Sequence, residues 1–133
     1  MVDIIKLAEA VAESVDGELE LAPEYTLKDV KRKRIVVVPV GVAHKMLARG
    51  IREDLIKIQI GVLQKATEDD LEKLVSEVQT LALSLLHKEI SGVACVAVDH
   101  NPLYVPEHLR ERRQFTGVIE LTFKEMNRHE NGS

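Results

Sequence analysis

One cysteine, no tryptophan, and two each of tyrosine and phenylalanine leave this 133-residue chain short of the side chains that make disulfides and aromatic platforms. The lone Cys95 excludes an internal disulfide, and its place in the apolar run VACVAV reads as a buried, inert thiol. Scarce aromatics argue against a platform for single-stranded nucleic acid, which needs exposed rings for bases to stack on. There is no run of eighteen apolar residues and no basic, apolar, small-residue leader. The expectation is therefore a chain with no membrane span and no signal peptide, made in a cytoplasm. The P-loop, the dinucleotide-binding GxGxxG, the GxSxG elbow and the HExxH zinc helix are all missing, so neither an enzyme nor a cofactor is expected. An excess of cations is missing too: 18 Lys and Arg face 22 Asp and Glu, a net charge of −4, which counts against nucleic acid as the principal ligand.

What is present describes one globular domain over residues 1–126, with a polar, flexible tail at 127–133. The stretch QFTGVIELTFKEM, residues 114–126, alternates as a half-buried strand does, with Phe115, Ile119, Leu121 and Phe123 on one face and Thr116, Glu120, Thr122 and Lys124 on the other. A second long strand, EDLIKIQIGVLQK from Glu53 to Lys65, matches it, with Ile56, Ile58, Ile60 and Val62 on its apolar face. The two either pair side by side or flank a common neighbour.

Around them the chain reads in order. Asp3 caps a helix whose apolar face is Ile4, Leu7, Ala8, Val11, Ala12 and Val15, and Gly17 supplies its left-handed stop. ELEL, Glu18 to Leu21, is a short strand closed by Pro23. RIVVVPVGV, Arg34 to Val42, is a strand whose Pro39 marks a sheet edge or a bulge, and AHKMLARG continues it or returns as a further strand broken at Gly50. Thr67 with Glu68, Asp69 and Asp70 opens a second helix striped by Leu71, Leu74, Val75, Val78, Leu81, Ala82, Leu85 and Leu86, and His87 caps its last carbonyls. VACVAVD is a short internal strand, and the loop from His100 to Arg113 holds about one helical turn in LRERR. The fold class is α+β: an antiparallel (mixed) twisted sheet with long strands packed against two helices, in the order α-β-β-β-β-α-β-β.

Two groups of residues invite a functional reading. Lys28, Lys31, Arg32, Lys33 and Arg34 form the one basic concentration, either a phosphate contact or localisation signal or a solvated turn between strands. Asp99, His100, Glu107 and His108 bracket the long loop and could bind a metal or trade protons, but they lack a second pair at ligand spacing, and His108 also reads as a surface helix residue.

Resemblance carries the reading further. Asn101, Pro102, Tyr104, Pro106, Glu107 and Leu109, followed by Arg113, Gln114 and Phe115, resemble the Asn-Pro-aromatic-x-Pro-Glu-x-Leu segment and RQF strand of tail terminator (tail completion) proteins of long-tailed phages and prophages. Tyr25, Leu27, Val37, Pro39 and Gly41 fit that family's strand pair, and the likeness spans nearly the whole chain. The resemblance implies a structural virion protein that forms a hexameric ring on the head-proximal end of the tail tube, stops tube polymerisation and offers a surface to the head connector. Its partners would be identical copies, the tail tube protein and the head-tail connector protein, with DNA passing through the lumen unbound. Six copies of a chain of charge −4 would sum to −24, which suits such a pore. Ring or partner contacts are expected at Lys31, Arg32, Lys33, Arg34, Tyr104, Glu107, Arg110, Arg112 and Arg113. The alternatives are another neck or tail component, whether connector completion or tube protein, a small metal-binding enzyme domain, and a nucleic-acid module using the basic turn.

Overall fold

A computed structural model describes residues 3–21 and 30–128. The expectations placed on Pro23, Tyr25, Leu27 and Lys28 lie outside the described residues. The elements are α1 (Ile4–Ser14), β1 (Glu18–Leu19), β2 (Arg34–Ala48), β3 (Ile51–Lys65), α2 (Leu71–Leu85), β4 (Glu89–Ile90), β5 (Val93–Asp99), α3 (Pro106–Arg112) and β6 (Gln114–Arg128). They build a mixed, curled sheet of order β1-β2-β3-β6-β5-β4 with the helices packed on it, an α+β fold.

The two long strands pair side by side. β3 and β6 are antiparallel in unbroken register from Ile51↔Arg128 to Lys65↔Gln114, so Ile56, Ile58 and Ile60 stand beside Phe123, Leu121 and Ile119 on one face. Those side chains are buried, with Leu7, Ala8 and Val11 of α1 and Leu74, Val78 and Leu85 of α2 laid over them in a single core. Gly117 lets α2 come that close: a Cβ there would lie 2.8 Å from the Phe115 ring and 2.9 Å from Val78.

Local details decide between some of the readings and correct others. AHKMLARG continues β2, which runs on to Ala48 and turns at Gly50 (φ 76°) into β3, so the expected order loses one strand before the second helix. Pro39 sits at a bulge, the register to β3 shifting between Pro39 and Gly41. The stop after α1 is made by Asp16 (φ 55°), whereas Gly17 is needed for close approach, since a Cβ there would meet the Ile35 carbonyl oxygen at 2.9 Å. His87 ends α2 through its backbone (φ 69°), its amide donating to the Cys95 carbonyl at 2.8 Å. Thr67 does cap α2, through a 3-10 turn over Glu68–Asp70 in which the Asp70 carboxylate accepts the Thr67 amide at 3.1 Å.

A third helix is present, because α3 makes two turns rather than one. Pro106 opens it, Arg110 and Arg112 occupy its last turn, and Arg113 closes it with left-handed backbone (φ 51°). β5 is not internal along its whole length, since among the described residues only two-residue β4 lies outside it and Val96 is 42% exposed. β6 is half-buried only towards its end. At its start Gln114, Thr116 and Val118 are buried on the second face as well. Gln114 explains part of this: its Oε1 accepts the Val30 amide at 3.1 Å and its Nε2 donates to Thr116 Oγ1 at 3.3 Å. A small second core of Val30, Val36, Val38 and Leu63 lies on that face. Asn127 and Arg128, assigned above to the tail, belong to β6.

Gly117→Ala is expected to destabilise the fold by roughly 1 to 3 kcal/mol through overpacking against Phe115 and Val78, read as a lower denaturation midpoint. An unchanged midpoint would mean that α2 does not rest on β6 as described.

Candidate assembly interface

The strand register sorts the expected contact residues by place. Arg34 pairs with Leu63 and Gln114 with Lys65, so the basic turn, the start of α2 and α3 all gather at one end of the sheet. Lys31, Arg32 and Lys33 are exposed there, while Arg34 is ion-paired with Glu18. Arg32, Lys33 and Arg34 line an open depression of about 630 Å³ together with Asp16 and Glu18. Arg110 and Arg113 line a second, of about 510 Å³, with Glu68 and Asp69. Both depressions mix charge of either sign, which suits polar contact with another protein surface better than capture of an anion.

The remaining expected residues are partly committed to the fold. Tyr104 stacks on Phe115, with ring centroids 6.0 Å apart, and bridges to Gly117, so it packs the loop against β6. Glu107 reaches Arg110 one turn along α3 at 3.9 Å, a weak surface pair. Arg112 is half-buried and has partners of its own. The backbone of Arg113 accepts the Ala66 amide at 2.9 Å, tying α3 to the entry of α2.

The imidazoles of the candidate metal group are occupied separately. His100 Nδ1 lies 3.2 Å from the Val118 carbonyl, to which it donates, and His108 Nδ1 lies 2.8 Å from Thr116 Oγ1. Among the described residues no three His, Cys, Asp or Glu side chains are grouped to hold a metal ion. Burial pushes the Cys95 thiol up, away from the reactive thiolate.

The far end of the sheet holds a feature that the sequence reading missed. β2, β3 and β6 continue towards the Ala48–Ile51 hairpin beyond the large apolar residues, and there Asp54 is 1% exposed. Its carboxylate accepts from all three strands: His44 Nδ1 at 2.5 Å, Arg52 Nε at 2.9 Å and Nη2 at 3.2 Å, and Asn127 Nδ2 at 2.5 Å. Burial pushes this carboxyl up, but the hydrogen bonds from His44 and Arg52 and the Arg52 charge outweigh it, and the net shift is downward. The signal was present in the spacing, since Asp54 and Arg52 share parity with Ile56 and Ile58. On the other face Lys57 meets Glu120 and Lys124 meets Glu53, each at 3.5 Å. Val40, Val42, Met46, Leu47 and Met126 are exposed along this ribbon. Charge thus staples the three strands where helices no longer cover them, leaving aliphatic side chains open to a partner.

Comparison with known proteins adds no constraint: neither a family model nor a curated protein matches this chain.

Because the Asp54 carboxyl is depressed below its ordinary 3.8, the stability it contributes is present above that value and is lost as pH falls through the folded-state value. Asp54→Asn is expected to cost about 2 kcal/mol at neutral pH and to lose this acid dependence. Urea midpoints from pH 7 down to pH 2 check it. Equal midpoints for the two proteins at pH 7 would rule out the staple.

Proposed function

We propose that this chain is a structural, ring-forming protein of the tail-terminator kind, which caps a phage tail tube, ends its growth and presents a surface for head attachment. The observation that carries the assembly reading is the ribbon of three 15-residue strands, whose outer half exposes aliphatic side chains on a polar frame instead of receiving a helix. Such a surface is stabilised by contact with protein. The terminator role itself rests on the resemblance carried by Asn101, Pro102, Tyr104, Pro106, Glu107 and Leu109 with Arg113, Gln114 and Phe115. In this reading the reactive step is association rather than catalysis. One face of the ring copies the contacts of a tube subunit and the other lacks them, so addition stops. Lys31, Arg32, Lys33, Arg110 and Arg113, gathered at one end of the sheet, serve as ring or partner contacts.

Electron microscopy of tails assembled with and without the protein tests this. Over-long, headless tails in its absence are expected, whereas tails of normal length would contradict the role. Reversing the charges of Arg110, Arg112 and Arg113 is expected to impair tail assembly, and intact assembly would remove that surface from the account. A tube subunit, the nearest alternative, would instead polymerise without limit on its own.

A further inference from the structure

The two edges of the sheet are stepped, and the steps lie in different rows. Rows can be read straight across the strands. Val38, Gln59, Glu120 and Asp99 stand in one row, and Ala43, Leu55, Lys124, Ala94 and Glu89 in another. Outside β2, strand β1 covers only the rows of Val36 and Val37, its ladder extended by the Glu20 amide donating to the Val37 carbonyl. Among the described residues, no strand covers the outer side of β2 from Val38 to Ala48. Outside β5, strand β4 begins at the Ala43 row and covers Ala94 and Val93, while among the described residues the β5 edge from Val96 to Asp99 has no strand beside it. The two short strands therefore occupy different rows, β1 at Val36 and Val37 and β4 from Ala43 on, and the rows between are uncovered on both edges among the described residues.

Strand direction agrees with this fit. β1 runs parallel to β2, and three antiparallel pairings from β2 through β3 and β6 to β5, with a fourth to β4, bring β4 parallel to β2 as well. Set a second copy beside the first in the same orientation, and β1 of one and β4 of the other share a single column without overlap, the rows from Val38 to Val42 lying between them. β4 then lies on β2 at Ala43, and β1 lies in the rows just beyond Asp99, the last residue of β5. Two of the register shifts sit between the two short strands, at Val40 of β2, 53% exposed, and at Val96 of β5, and a third lies at Met46/Ala48 beyond the proposed contact. Pairing is thus asked of the regular rows and not of the bulges.

We infer that these stepped edges are the joint between copies of this chain, β4 of one protomer adding to β2 of the next at Ala43. The occupant is a second copy because the missing shape is on the same molecule. Pro39 and the bulge beside it already blunt the edge from Val38 to Val42, so the joint falls on the regular rows from Ala43 on. Charge favours the same occupant. Lys45 and Glu89 lie on the face of the sheet away from the main core, two rows apart across the joint, and among the described residues neither makes an ion pair. Within one chain four strand spacings, about 19 Å along the sheet, separate β4 from β2. The contact is head-to-tail, so repeating it closes a ring when the rotation closes. This inference rests on the ring reading above and names the surface that would build it.

The test is a cysteine pair. Ala43→Cys and Glu89→Cys in one chain are expected to give, on mild oxidation, a ladder of cross-linked multimers ending at the ring. A mixture of the two single variants should stop at dimers. In the unmodified pair, Lys45→Glu should weaken assembly roughly fivefold per joint, and adding Glu89→Lys should restore it. Rings of normal size that do not cross-link would overturn the joint and leave the ring reading standing. Dimers from Ala43→Cys alone would show two β2 edges meeting and overturn it as well. A chain that stays monomeric at millimolar concentration would remove both.

Discussion

The unbroken pairing of β3 with β6 is the constraint on which the other parts depend. It runs from Ile51↔Arg128 to Lys65↔Gln114 without a bulge, so parity along one strand fixes parity along the other. A slip by one residue would turn Ile56, Ile58 and Ile60 away from α1 and α2 and bring Lys57 and Gln59 into the core. Bulges are confined to the outer pairings, at Pro39/Gly41 and Met46/Ala48 in β2 and at Cys95/Ala97 in β5. The rigid centre sets the rows, and the flanks adjust twist and exposure around it.

Along that centre the means of stabilisation changes. At the end holding α3 and the start of α2 both faces are buried, one by the main core and the other by Val30, Val36, Val38 and Leu63, with Gln114 satisfying the Val30 amide. At the hairpin end, Asp54 and its three donor side chains replace apolar contact. A buried carboxylate is costly unless paired, and here the pairing draws on β2, β3 and β6 together, which holds the ribbon in a single arrangement. A long sheet can then project past its helices without fraying, and that projection makes assembly the natural reading of its surface.

The long strands and both long helices were legible in the sequence because their apolar periods are local and uninterrupted. Ile56 to Val62, Phe115 to Phe123 and Leu71 to Leu85 each declare their own geometry. What escaped depends on partners distant in the chain. Thr116 read as part of the polar face until Val30, held by Gln114 across 84 residues of sequence, lies over that end of the sheet. Asn127 read as tail until Asp54 claimed its amide. β4 is too short for any period, although the Ser91–Gly92 turn beside it, with both φ positive, was a visible hairpin signal. Of the expected contact residues, Lys31 to Lys33 and Arg110 were readable as exposed charge, whereas the packing of Tyr104 against Phe115 was not.

Association by edges and charged ends, as proposed above, would let a protein that is acidic overall and poor in aromatics still bind others. In that proposal the contacts are backbone rows and surface ions repeated on every copy, rather than one pocket. The most direct measurement is the native mass of the protein as its concentration is raised. The account predicts a closed species of about 89 kDa, six copies of the 14.9 kDa chain, that grows no further. An open-ended series of masses, or a monomer at every concentration, would contradict it.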